Sequence, residues 1–595
     1  MKKQSKKRDG LFFFFIFLLA FCLRVYGLNW DQSQHLHPDE RFMTMVVSAI
    51  KLPKSLKNYL SQKESLLNPY NHDFSFYVYG TFPLLVTKLA GEAVKYIGYD
   101  QIFLIGRTLS AIFDSLTCIL VYLLFFLIFK NRVGALFSAF FYAVAVFPIQ
   151  QSHFFTVDSF VVFFTTLSLW LNLLFLQRKN RLFFFLTGFS FGMALASKVS
   201  VIITFPIFIV SAFLTVTFQR SKIFKNIWSL FFKIIIFFFG TVLAFRLFQP
   251  YAFDGFFSIS NHFIQNISEA RRMITGEMDY PPNIQWAYTK PLVHPLVNIF
   301  FWGFGPLVTL FSFSGILVFF KRKYSFSKLV KDECFMSGVL VLIYAAAIFF
   351  YQGIQLAKYM RYFYPIYPIL AIFSGFFIER IFLGRWRAAK LFAVFLLVFS
   401  FVWSASFLKI YTLPHSRMIA SEWIYKNIPS GAKITNEEWD DGLPLSAFEN
   451  NYDQYIHIPL GLYNTETEEK WRKVSGEIAE ADYIIMSSNR LFGSIPRLPR
   501  RYPVTSLFYK LLFEGKLGFK KVADITSRPC FPPFKPYFFC FNDDNSEESF
   551  TVYDHPRIVI FKKEKFKEEL LKPLFDKNLM NKAEDLNPNK TNFLF

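Results

Sequence analysis

Charge is scarce in this chain, and acidic charge most of all. Only 18% of its 595 residues are Asp, Glu, Lys or Arg, against 53% that are hydrophobic, too little charge to cover a soluble fold of that length. Carboxylates number 43 against 65 Lys and Arg. The resulting excess of +22 does not indicate a nucleic-acid partner, because the bases lie in short clusters between apolar runs, where they orient a chain in a bilayer. Cysteine is nearly absent: there are 5, and no Cys-x-x-Cys pair, which argues against a zinc or redox site built on thiolates. Cys530 and Cys540 fall in a polar region, where a disulfide and two free thiols are equally compatible with their spacing. No repeat of solenoid type is evident.

What the chain has in abundance is apolar sequence. About eleven runs approach the ~20 residues needed to cross ~30 Å of hydrocarbon. They lie near 11–28, 102–129, 133–149, 159–177, 182–197, 199–218, 226–248, 295–320, 335–352, 362–379 and 389–412. The first follows a basic N-terminus but lacks a small-residue cleavage site, and reads as a retained span. The connections 2–8, 130–132, 178–181, 220–225, 321–331 and 380–390 are basic and occur at every second interval. The positive-inside rule places them in the cytoplasm. The connections 29–101, 150–158, the Lys198 junction, 249–294, 353–361 and everything after about 412 then face outward.

The expected fold class is an α-helical polytopic membrane protein of the cell membrane, with a cytoplasmic N-terminus. Residues 1–412 form the transmembrane domain, with outer loops 29–101 and 249–294. The second loop, with Arg271 and Arg272 and the Pro281-Pro282 break, has the makings of a lid over the outer face. After a helix near 418–426, ended by Pro429 and Gly431, β-like runs at 481–486 and 557–561 predict an extracytoplasmic α/β domain over 413–561. Residues 562–595 read as a charged, flexible tail.

Chemistry concentrates at the outward ends of the spans. The first outer loop holds His35, His37, Asp39, Glu40 and Arg41 within seven residues, a density of acid, base and metal-ligand groups that suits a catalytic centre and equally a solvated membrane boundary. Asp158 opens the fourth span, where an unpaired carboxylate is costly and calls for a partner. His153 lies in the same short connection. Lys198, Lys358, Arg361 and Tyr362 fall at the same level on other spans; singly, such cations snorkel to head groups, but a shared side with the carboxylates favours a joint role. The stretch 68–80, rich in aromatics with Asn71, His72 and Asp73, suits either a sugar-binding surface or an aromatic belt.

These residues resemble, in order, the polytopic glycosyltransferases of the GT-C type that use polyprenyl-phosphate-linked sugars. The resemblance is to the bacterial branch related to protein O-mannosyltransferases and aminoarabinose transferases. His37-Pro-Asp-Glu40 resembles the signature opening their first outer loop. Arg107-Thr-Leu-Ser-Ala111, Ser152-His to Asp158-Ser, Gly188 to Lys198 and Arg361-Tyr362 to Pro368 follow in the expected order over residues 8–412. Trp423-Ile to Gly431 and Glu438-Trp-Asp to Pro444 resemble the accessory outer domain of bacterial members. Where some relatives are basic three positions after the Asp, this chain has Phe42 and carries Arg41 instead.

The resemblance implies transfer of a sugar from a polyprenyl-phosphate donor to an acceptor hydroxyl on the extracytoplasmic face, with inversion. Asp39 is then the general base, Glu40 its orienting neighbour and Asp158 an acceptor-holding carboxylate. Arg41, His153, Lys198, Lys358, Arg361 and Tyr362 are candidates to meet substrate and phosphate. No cofactor is required, although His37 and Glu40, with His35, could hold a divalent ion. Partners are the lipid donor, membrane lipid and a protein, lipid or glycan acceptor, with no nucleic acid. The competing reading is a transporter or flippase of lipid-linked saccharides, which would place its ionisable residues near the bilayer midplane.

Overall fold

The computed structural model describes residues 2–215, 223–256, 258–321 and 332–584. The basic connections 220–225 and 321–331 lie largely outside these, as do the end of the run 199–218 and residues 585–595 of the tail; 2–8 are described in backbone only.

Among the described residues the apolar runs are helical over most of their length, with breaks in 133–149 and 295–320. The chain begins with α1 (Lys2–Val25) and, in the first long connection, α2 (Pro38–Ala49). There follow α3 (Tyr99–Phe129), α4 (Arg132–Ala143), α5 (Val146–Ser152), α6 (Asp158–Arg178), α7 (Arg181–Leu195), α8 (Phe205–Leu214), α9 (Ile223–Phe248), α10 (Pro306–Phe320), α11 (Glu333–Gly353), α12 (Tyr367–Phe382) and α13 (Arg387–Leu408). Among the described residues 6 helices are long and apolar enough to cross a membrane, and α4 with α5, bent by 55°, make a seventh if counted as one span. Shorter apolar helices cover Gly10–Val25, Arg181–Leu195, Val199–Leu214 and Pro306–Phe320. A chain with this many apolar helices is a multi-pass membrane protein. The run expected over 295–320 is interrupted, because Gly305 adopts φ +87 and Pro306 restarts the helix.

Close backbone approach and one buried polar cluster hold the bundle together. A Cβ on Gly188 of α7 would come within 2.1 Å of the Phe237 carbonyl oxygen of α9, so only glycine permits this helix contact. Arg24 donates to Asp114 at 2.5 Å and to Ala143 O at 2.9 Å. Tyr142 and Tyr364 donate to the other oxygen of Asp114. This cluster ties α1, α3, α4 and the turn Met360–Ile366, and its charge balance meets the cost of burying a carboxylate and a guanidinium among apolar helices.

The C-terminal region follows the helix Ser416–Asn427 and is the small sheet domain its composition predicts. Its five-stranded sheet has the order β2-β1-β3-β7-β4, with β1 (Lys433–Glu437), β2 (Ile456–Leu460), β3 (Tyr483–Met486), β4 (Phe519–Ile525) and β7 (Ile558–Lys563). Strands β1, β2 and β3 are parallel, whereas β7 runs antiparallel to β3 and β4. A separate hairpin, β5 (Cys530–Phe531) with β6 (Phe539–Cys540), is closed by a disulfide between Cys530 and Cys540. The expected tail differs from a free one: Leu571 and Leu574 are buried in the core of this domain, because the helical turns Glu568–Phe575 turn them inward and leave Glu568, Glu569 and Lys572 exposed. Residues after β6 dock the domain onto the bundle. Gln150 of α5 donates to Phe550 O at 2.7 Å and to Asp554 at 2.9 Å, and Tyr411 donates to Asp554 at 2.9 Å.

Candidate active site

The site forms where α2 begins. Pro38 occupies the first turn, where its missing N–H costs nothing, and His37 caps the helix, its Nδ1 accepting from the Glu40 N–H at 3.4 Å. Adjacent residues on a helix point about 100° apart, so Asp39 and Glu40 serve different surroundings. Glu40 is fully buried and accepts from Arg107 at 2.9 and 2.5 Å and from the Phe155 N–H at 2.6 Å. Arg107 also grips Asp31 at 3.1 and 2.9 Å and Leu28 O at 2.7 Å. Burial raises the Glu40 carboxyl above its ordinary range despite Arg107. At Asp31 burial pushes upward too, but Arg107 prevails and the net shift is down.

Asp39 faces the other way, paired with Arg361 and hydrogen-bonded by the Tyr79 hydroxyl. Burial would raise its carboxyl, but Arg361 and then His37 hold it below the usual range. Tyr79 is brought here by Gly80, whose N–H donates to Ser197 O at 3.0 Å and where a Cβ would lie 1.9 Å from Ala196 O. The same junction delivers Lys198, which donates to Asp158 at 2.7 Å. The Lys198 ammonium stands 4.9 Å from the Tyr362 ring centroid, and the Arg361 guanidinium 5.9 Å from the same ring.

Two cavities meet at Arg361. A slot of ≈ 20 Å³ is lined by Asp158, Lys198, Arg361 and Tyr362 together with the apolar Val161 and Ile348. A larger cavity of ≈ 390 Å³ is lined by Asp39, Arg41 and Arg361 from the bundle side and by Trp439, Asp440, Asp441, Arg490, Glu548 and Tyr553 of the C-terminal region. Tyr280 and Pro282, from the connection expected to act as a lid, close part of its wall. Every one of these bundle groups lies where a helix meets the site end, while Lys130, Arg178 and Arg380 lie at the opposite helix ends.

The other sequence candidates are placed differently. Arg41 pairs with Asp441 at 2.9 Å across the larger cavity. His153 is buried, with its ring nitrogens on Ile149 O at 2.7 Å and Tyr26 O at 2.8 Å, and lines neither cavity. Lys358 is also buried, donating to Leu356 O at 3.1 Å, and burial lowers it to about 8. His37 is enclosed by the rings of Phe154 and Tyr553, and burial lowers it to about 4. A metal does not fit the residues proposed for it. Glu40 is committed to Arg107, His37 to its helix cap, and no group of three His, Cys, Asp or Glu that could hold a metal ion occurs among the described residues. Sequence reasoning left Arg107, Tyr79, Asp440, Asp441, Arg490 and Glu548 without roles. Tyr79 falls in the aromatic stretch 68–80, Arg107 in the match at 107–111, and Asp440 and Asp441 in the match at 438–444, whereas Arg490 and Glu548 lie in no stretch that the sequence singles out.

Residues 96–245, which carry Arg107, Asp158 and Lys198, match the family model of dolichyl-phosphate-mannose-protein mannosyltransferase. Over that segment the chain is similar to this glycosyltransferase family. No curated protein matches the chain. Among solved structures it is similar to the archaeal oligosaccharyltransferase of Archaeoglobus fulgidus in complex with an inhibitory peptide and a dolichol-phosphate, at 14% identity over 87% of this chain and 73% of that one, TM-score 0.49. It is similar also to ArnT of Cupriavidus metallidurans bound to undecaprenyl phosphate, at 14% identity over 82% and 94%, TM-score 0.41. The protein O-mannosyltransferase complex of S. cerevisiae bound to the sugar donor matches at 17% identity over 42% and 35%, TM-score 0.31.

Proposed function

We propose that this chain is a glycosyltransferase that moves a sugar from a polyprenyl-phosphate donor to an acceptor hydroxyl on the extracytoplasmic face of the cell membrane, with Asp39 as general base. The observation that carries the reading is the position of Arg361. It stands between a narrow slot whose two cations and apolar walls match the chemistry of a lipid phosphate, which must open the slot to enter, and a larger polar cavity suited to an acceptor. In the structure both cations are held by carboxylates, Lys198 by Asp158 and Arg361 by Asp39. A donor phosphate entering the slot competes for both cations, and Asp39 is then released from the partner that keeps its basicity low.

The acceptor O–H gives its proton to Asp39 while its oxygen attacks the anomeric carbon. The bond from that carbon to the phosphate oxygen breaks, and the polyprenyl phosphate leaves with its electron pair, its charge met by Arg361 and Lys198. One displacement inverts the anomeric centre. Asp158, once freed, orients the acceptor or the first loop. The acceptor is a protein, lipid or glycan hydroxyl reached through the cavity between the bundle and the domain at 413–561. In proteoliposomes charged with a polyprenyl-phosphate sugar, Asp39→Asn is expected to lower transfer by about 10²-fold or more; unchanged transfer would overturn the mechanism.

A further inference from the structure

The hairpin β5–β6 presents apolar side chains that the catalytic reading does not use. Phe534 and Phe538 at its tip and Phe539 at the start of β6 are 68%, 77% and 42% exposed, and Lys535 stands exposed among them. Such a cluster on a water-facing surface would be an aggregation liability. The hairpin, however, lies along the last transmembrane helix. Phe541 packs on Trp403 of α13, with ring centroids 4.3 Å apart, and Thr412 donates to Pro533 O at 3.0 Å. Trp403 is about five residues, or ~8 Å, inside the end of α13 at Leu408. The outward face of that helix carries Phe395, Val398 and Phe401, exposed in the manner of lipid-facing residues. Between the hairpin and the end of α1 lies a cleft of ≈ 660 Å³, lined by Leu23, Tyr26, Phe401, Leu408, Phe534 and Lys535.

We infer that the disulfide-closed hairpin is a wedge inserted in the bilayer leaflet on the Asp39 side, and that chains of bilayer lipid fill the cleft behind it. Its phenylalanines replace water by acyl chains while Lys535 meets lipid phosphate at the head-group level, as an interfacial anchor requires. The wedge gives the domain at 413–561 a second hold on the membrane besides α13. This holds the wall carrying Trp439 and Glu548 at a set height above Asp39.

The test is photocrosslinking of the full chain in nanodiscs of phosphatidylethanolamine and phosphatidylglycerol. Phe534 or Phe538 is replaced by p-benzoylphenylalanine, whose added benzoyl ring the exposed positions can accept, and intact mass reports the adduct. The same replacement at Phe395, on the lipid-facing side of α13, and at Ile456, on the edge strand β2, supplies the two references. Lipid adducts at Phe534 and Phe538 are expected within about threefold of Phe395 and at least about tenfold above Ile456. Adducts at Phe395 alone, or a crosslink from Phe538 to a second copy of the chain, would overturn the inference; absence of adduct at all three would overturn it together with the membrane placement of α13.

Discussion

Replacing each of the two neighbouring carboxylates by its amide separates the roles of Asp39 and Glu40. Glu40 accepts three hydrogen bonds, two from Arg107 and one from the Phe155 N–H. In Glu40→Gln the remaining oxygen keeps two of them and the new amide opposes one Arg107 N–H, a mismatch of about 1–3 kcal/mol. Arg107 stays neutralised by Asp31. Arg107→Met, in contrast, leaves Asp31 and Glu40 both buried without a cation, a loss of about 3–5 kcal/mol. Thermal unfolding in detergent micelles is therefore expected to rank the variants as Asp39→Asn near the parent, Glu40→Gln lower and Arg107→Met lowest. Transfer from a polyprenyl-phosphate sugar should rank them differently, Asp39→Asn losing about 10²-fold or more and Glu40→Gln keeping activity within about tenfold once corrected for folded protein. A Glu40→Gln enzyme with parental unfolding and the full Asp39→Asn loss would refute this division of labour.

Other outcomes follow from the same geometry. Lys198→Gln should raise the donor KM by about tenfold, one charge-assisted contact to phosphate being lost, with kcat less affected; Tyr362→Phe, which keeps the ring beneath Lys198, should stay close to the parent. Burial pushes Glu548 up to about 7, although Arg490 opposes it. The folded chain thus holds this proton between the ordinary value of 4.5 and about 7 while the unfolded chain releases it, so the stability it contributes falls as pH rises through that window. Glu548→Gln should flatten that part of the unfolding profile, and an unchanged slope would contradict the assignment. Cys530 and Cys540 are separated by 10 residues; opening that loop with Cys530→Ser and Cys540→Ser should cost the hairpin about 2–3 kcal/mol, read as faster proteolysis within 530–541.

Much of the candidate site was legible because its side chains occur where apolar runs end. Asp39, Asp158, Lys198 and Arg361 could each be placed at one level from hydrophobic length and the alternation of basic connections. The pairing among them was not legible. Nothing in the spacing of Asp39 and Glu40 reveals that one faces Arg361 and the other Arg107, since that depends on which way the first turn of α2 rolls against α3. His153 and Lys358 read as site residues for the same reason of level, yet both turn into protein and are satisfied by backbone carbonyls.

By itself, the sequence determined the class of molecule: long apolar helices with too little charge for water, polar groups at their ends, and a following region with strand-like runs. Those are properties of local composition and periodicity, and they survive without knowledge of the fold. Only the tertiary structure decided that Asp440, Asp441, Arg490 and Glu548, some 400 residues from Asp39 or more, roof the same cavity, and that Glu40 belongs to a buried ion cluster. Contacts at that separation come from how the C-terminal sheet domain docks through the segment 547–555, and the cost of burying charge without a partner is what selects them.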